Sequence, residues 1–64
     1  MSTIVFETTD PITDTTYVIV ETSSCTYTHV WNNGVLVSRD VWETTDEARR
    51  NFRVQYDLDV PEDK

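Results

Sequence analysis

Polar threonines alternate with aromatic side chains at the start of Thr26-Tyr27-Thr28-His29-Val30-Trp31-Asn32, Val35-Leu36-Val37-Ser38-Arg39-Asp40-Val41-Trp42 is rich in valine, and the dipeptide Asn33-Gly34 lies between the two runs. A period of two is the mark of a strand whose two faces differ. Asn and Gly tolerate the positive φ that a two-residue type I′ turn needs at both central positions. Together these features predict a β-hairpin with strands over about 25–32 and 35–42. Upstream, Thr15 to Thr22 is built from β-branched and aromatic residues and predicts a strand over 15–22, turned into the hairpin by Ser23-Ser24. Ile4-Val5-Phe6, closed by the turn cluster Thr8-Thr9-Asp10-Pro11, predicts a short edge strand over about 3–7.

After Trp42 the period changes. Thr44-Thr45-Asp46-Glu47 offers N-cap oxygens and acidic first-turn residues, which suit the positive end of a helix dipole. Ala48, Phe52 and Tyr56, four apart, then make one apolar stripe. A helix over about 45–56 follows. Phe52, Val54, Tyr56, Leu58 and Val60 also alternate, which leaves open a shorter helix ending near Arg50 and a fifth strand. Residues 57–64 read as a solvated acidic tail. The chain as a whole predicts one α+β domain over 1–64: a small antiparallel sheet of three to four strands in a β-meander, then one C-terminal helix packed on one face.

If the hairpin runs without interruption from its turn, Trp31 pairs with Leu36, His29 with Ser38 and Tyr27 with Asp40. One face then holds Cys25, Tyr27, His29, Trp31, Leu36 and Trp42, with Val18 and Val20 from the preceding strand. The other holds Val30, Val35, Val37 and Val41, with Thr26, Thr28, Tyr17 and Ile19. Both faces are apolar, yet a helix of about 12 residues is only about 18 Å long and covers one of them. The expectation is that Ala48 and Phe52 pack on the Val30, Val37 and Val41 side. Tyr27, His29, Trp31, Leu36 and Trp42 are then left as a surface for a partner. The contrary arrangement, in which these aromatics form the core, would leave the valine and threonine face outside.

Length and charge narrow the functional classes. At 64 residues the chain is near the lower limit at which a hydrophobic core alone sustains a fold. The 38% hydrophobic content, concentrated in the alternating runs, argues against disorder. The net charge of −7 repels phosphates and anionic lipid at long range, so neither direct nucleic-acid binding nor a membrane surface is expected. No apolar run approaches the roughly 20 residues of a membrane span. Met1-Ser2-Thr3-Ile4 lacks the basic start of a signal peptide, and the lone Cys25 cannot form an internal disulfide. A cytoplasmic protein is expected. The charge is uneven, because Arg49, Arg50 and Arg53 form a short basic patch on an acidic body.

Candidate chemistry fails on spacing. Cys25 and His29 lie four residues apart, roughly 13 Å along a strand, beyond the reach of a nucleophile and its base. His29, Ser38 and Asp40 resemble a triad only in composition, since Asp40 falls about 7 Å beyond Ser38 rather than behind the imidazole. Asp57, Asp59, Glu62 and Asp63 lack the glycine and ligand spacing of a calcium loop. One His and one Cys cannot hold structural zinc, so no metal or cofactor is expected and no enzyme. Arg49, Arg50 and Arg53 could clamp an anion or engage in intrahelical ion pairs. The strands-then-helix order, with Thr44-Thr45-Asp46-Glu47-Ala48-Arg49 opening the helix, resembles in topology the small sheet-plus-helix modules that dock a sheet in the DNA major groove. Those modules carry basic side chains on the sheet, whereas here only Arg39 stands beside Glu21 and Asp40.

The reading that remains is a small acidic protein-binding module, a regulatory or inhibitory accessory protein of phage or prokaryotic type that occludes another protein. Its partner-binding residues would be Tyr27, His29, Trp31, Leu36, Trp42, Arg49, Arg50 and Arg53. The partner would be a protein, with a second copy of the chain, as a homodimer, among the candidates. The alternatives are a nucleic-acid mimic that inhibits a DNA-binding protein and a structural homo-oligomer component.

Overall fold

The computed structural model describes residues 2–61. Four strands, β1 (Thr3–Asp10), β2 (Thr15–Glu21), β3 (Thr26–Asn32) and β4 (Val35–Trp42), form one antiparallel sheet in sequence order, and helix α1 (Thr45–Tyr56) packs against it. The expected meander with one C-terminal helix is the observed architecture. β1 runs on to Asp10, three residues past its expected end, because Thr8, Thr9 and Asp10 continue to pair with Tyr17, Thr16 and Thr15.

The turns have local causes. Asn33 and Gly34 both have positive φ, 53° and 79°, as a type I′ turn requires. The β1–β2 connection closes on Asp10, whose Oδ1 accepts from the Ile12 N–H at 3.0 Å, and on Asp14 at φ 54°. The two connections at this end are tied together: Asn33 N–H donates to the Asp14 carbonyl at 3.0 Å, and Asn32 Nδ2 donates to the Thr13 carbonyl at 3.0 Å. At the other end the Thr22 hydroxyl accepts from the Ser24 and Cys25 N–H groups and so holds the two-residue Ser23-Ser24 loop.

The helix starts where its caps dictate. Thr44 Oγ1 accepts from the Glu47 N–H at 3.2 Å, and Glu47 Oε1 accepts from the Thr44 N–H at 3.1 Å, a complete capping box. It ends at Asp57 with φ 54°, where the Leu58 N–H donates to the Phe52 carbonyl at 3.2 Å. The chain then turns back rather than out. Leu58 packs on the core, Val60 is buried, and the Val60 carbonyl accepts from Arg53 Nε at 2.9 Å. Residues 57–61 are therefore not a solvated tail, because alternation there points Leu58 and Val60 inward; residues 62–64 lie outside the described part of the chain.

The core lies between one sheet face and α1. Ile19, Val30, Ala48, Phe52 and Val60 form it, flanked by Val5, Phe6, Tyr17, Trp42, Tyr56 and Leu58. Phe52 is its centre, with the rings of Phe6, Tyr17 and Tyr56 at 6.2, 5.8 and 5.8 Å, arranged edge-on or tilted as ring quadrupoles prefer.

Two irregularities correct the expected register. Pairing slips by one residue between Ile4 and Phe6, which leaves Val5 unpaired. It slips again between Val30 and Trp31, which leaves Val37 unpaired in β4. Trp31 still faces Leu36, but Val30 then pairs with Ser38, His29 with Arg39, Thr28 with Asp40, Tyr27 with Val41 and Thr26 with Trp42. An extra residue inverts the side-chain alternation beyond it. The helix accordingly packs on Val30 but not on Val37 or Val41, which are 59% and 62% exposed. Trp42 changes sides as well. It lies half-buried against the core, and its Nε1–H donates to Thr28 Oγ1 at 3.0 Å.

Candidate protein-binding face

Tyr17, Ile19 and Phe6 touch the helix side of the sheet, so the alternate positions of every strand face away from α1. Register lines these positions up in three rows across the sheet. The first row is Ile4, Val20, Tyr27 and Val41; the second is Glu7, Val18, His29 and Arg39; the third is Thr9, Thr16, Trp31 and Leu36. No element of the described chain covers them. Ile4, Trp31, Leu36 and Val41 remain 59%, 37%, 41% and 62% exposed.

The face has internal order. The β3 rings form a ladder, with Tyr27 and His29 stacked at 6.3 Å and 5° and His29 and Trp31 at 6.4 Å and 55°. The Arg39 guanidinium sits 4.8 Å above the Tyr27 ring, where the ring's negative face attracts it. Beside this ladder, β2 presents only Val20, Val18 and Thr16, and Val18 is buried at 7% although it faces away from the helix. One strand thus stands tall and its neighbour lies low.

Electrostatics follow from these neighbours. Partial burial among the rings holds the His29 imidazole below its ordinary pKa, and the adjacent Arg39 charge adds to the effect. At the end of the ladder, hydrogen bonding from Tyr27, then from Thr22, holds the Cys25 thiol below its usual value. The same bond to Cys25 raises the Tyr27 phenol.

The structure places Tyr27, His29, Trp31 and Leu36 together on the open face, as the alternation implies. Trp42 is on the opposite face. The arginines do not join the surface either, because α1 lies on the other side of the sheet. Arg49 is buried, with Nη1 3.6 Å from Asp46 Oδ1; Arg53 reaches the Val60 carbonyl; Arg50 is exposed beside Trp42, Glu47, Asn51 and Val54, which line a groove of about 310 Å³. Sequence reasoning missed Arg39 and Val41 as members of the open face, because the uninterrupted register sends both to the helix side. It missed Ile4 and Glu7 for want of a register for β1. Only the unpaired Val37 could have signalled the change, and nothing in its side chain distinguishes it from its neighbours.

Among the described residues, no group of three or more His, Cys, Asp and Glu side chains is disposed to hold a metal ion, and no helix is long and apolar enough to cross a membrane. No protein-family model, no curated protein and no solved structure matches the chain.

Proposed function

We propose that this chain is a protein-binding module that works through the open face of its sheet, a non-enzymatic accessory protein that regulates by occluding what it binds. The observation that carries this reading is the uncovered ladder of Tyr27, His29 and Trp31, flanked by Leu36 and Val41. Rings of this kind, rigid and amphipathic, supply most of the binding energy where proteins meet. Leaving them in water forgoes apolar burial worth roughly 25 cal/mol per Å². Partners that are polyanions are disfavoured by the net charge of −7. Phosphate mimicry would need a row of acids, whereas the three rows carry one, Glu7, in the same row as Arg39. The cytoplasm, where the free Cys25 stays reduced, is the setting that suits it.

Photo-crosslinking in the native host tests the reading. A benzophenone side chain at Leu36 is expected to give a discrete adduct with a polypeptide, and Trp31→Ala in the same protein to abolish it. The same probe at Val54, on the exposed side of α1, should give none. Adducts at Val54 alone, or none at Leu36, overturn the proposal.

A further inference from the structure

We infer that the occupant of the open face is a second copy of the chain, packed sheet on sheet about a two-fold axis that runs parallel to the strands. This rests on the protein-binding reading above and commits it to one partner.

The order of charges across the sheet carries the inference. Glu7 stands on one edge strand and Arg39 on the other, at the two ends of one row, with Val18 and His29 between them. A two-fold axis that brings two copies of one face together must lie in the plane between the sheets. If it ran across the strands, β1 would lie over β1 of the partner, Glu7 over Glu7 and Arg39 over Arg39, and like charges would meet. If it runs along the strands, the strand order reverses and β1 lies over β4. Glu7 of each copy then meets Arg39 of the other, and the dimer holds two such ion pairs. The symmetry is isologous, so one surface supplies both halves of each contact.

Shape selects the same axis. Reversal also lays β3 over β2, so the tall side chains of one copy stand on the low ones of the other: Trp31 over Thr16, His29 over Val18 and Tyr27 over Val20. Large against small is how facing sheets interdigitate at the usual spacing of about 10 Å. The axis across the strands would instead set the ring ladders against each other and leave a gap over the β2 pair.

The area sets the strength. Four strands about 4.8 Å apart and three rows about 6.7 Å apart make a footprint of roughly 400 Å² per copy. Two footprints total about 800 Å², below the roughly 1,200 Å² at which stable interfaces begin, so the dimer is weak and concentration-dependent rather than obligate.

Charge exchange with the full chain is the test, read by sedimentation equilibrium across micromolar to millimolar concentrations. The wild type is expected to dimerise reversibly. Glu7→Arg and Arg39→Glu should each weaken self-association more than about tenfold, since each sets like charges together at two places. Mixing the two variants should restore dimers. The arginine introduced into one chain then meets the glutamate introduced into the other, while the Arg39 and Glu7 that the two chains retain still meet each other. The Glu7→Arg/Arg39→Glu double variant should also dimerise. Glu7 is an exposed side chain, so Glu7→Arg is expected to keep its circular dichroism spectrum and melting point, and it serves as the primary variant if Arg39→Glu, which loses its seat over Tyr27, melts early. A wild type that stays monomeric throughout overturns the dimer. So does a dimer indifferent to both exchanges, or a mixture that fails to recover. If the monomer nonetheless crosslinks from Leu36 to a different polypeptide, the protein-binding reading stands and only its self-recognition falls.

Discussion

At the scale of single residues, His29 is the side chain whose environment has the plainest consequence. Its imidazole is disfavoured as a cation by partial burial among Tyr27 and Trp31 and by the adjacent Arg39; Glu7, two strands away, is the carboxylate of its own row, and Asp40 on the adjacent strand pairs with Thr28 on the opposite face. The folded-state pKa therefore lies below the unfolded value of about 6.5. Between the two, the unfolded chain binds more protons than the folded one, so stability rises with pH through that interval. The contribution is fully present above about pH 6.5 and is lost as pH falls from there through the lower folded value. Melting temperature measured on dilute protein should accordingly decline from about pH 7 toward about pH 5 more steeply for the wild type than for His29→Gln. Parallel curves for the two proteins would show that the imidazole is no more hindered in the fold than in water. A residue that resists protonation also keeps the middle row of the open face from gaining a second positive charge beside Arg39.

Among the elements, the β3–β4 turn is where sequence and conformation correspond most directly. Gly34 has φ 79° and nothing lies within 4 Å of the position a Cβ would take, so a side chain there meets no obstacle except its own backbone. Gly34→Val should cost about 1–2 kcal/mol or more for that reason alone, which is about 4–8 °C of melting temperature for each kcal/mol in a domain this small. A thermal scan that moves by less than about a degree would remove the turn's claim to need glycine. The strands and helix were legible for similarly local reasons: β-branched and aromatic runs in 15–42, the Asn33-Gly34 pair, and Thr44 and Glu47 placed to cap each other. What was not legible is non-local. Which of several β-branched residues in β4 is left unpaired depends on how the hairpin settles on the helix, and Val35, Val37 and Val41 look alike to any pattern. Alternation in Phe52, Val54, Tyr56, Leu58 and Val60 was ambiguous because Phe52 and Tyr56 also satisfy the helical period. Leu58 and Val60, beyond the Asp57 cap, pack on the core outside any strand. The side chains of the open face were half recovered from sequence, those of β3 in full, those of β2 and β4 in part and those of β1 not at all.

For the molecule as a whole, the sheet has one buried face and one waiting face, and the two respond differently to the loss of a ring. Phe52 is fully buried at the meeting point of Phe6, Tyr17 and Tyr56. Phe52→Ala should cost about 3–5 kcal/mol, comparable to the entire stability expected of so short a chain, and leave it unfolded by circular dichroism at about 37 °C. Trp31→Ala should keep a wild-type spectrum and a cooperative melt while losing association. If Trp31→Ala unfolds and Phe52→Ala does not, the assignment of inside and outside is reversed. Within β4 the assignment hangs on Val37. Strand faces are counted modulo two, and an unpartnered residue acts as a parity bit for everything after it. With even parity, the same letters would turn the Arg39 guanidinium under the helix and leave the Trp42 indole in water. With Val37 set aside, the indole goes in, the guanidinium goes out, and Glu7 and Arg39 end one row. The polarity of β4 is thus written by a residue that belongs neither to the core nor to a pair.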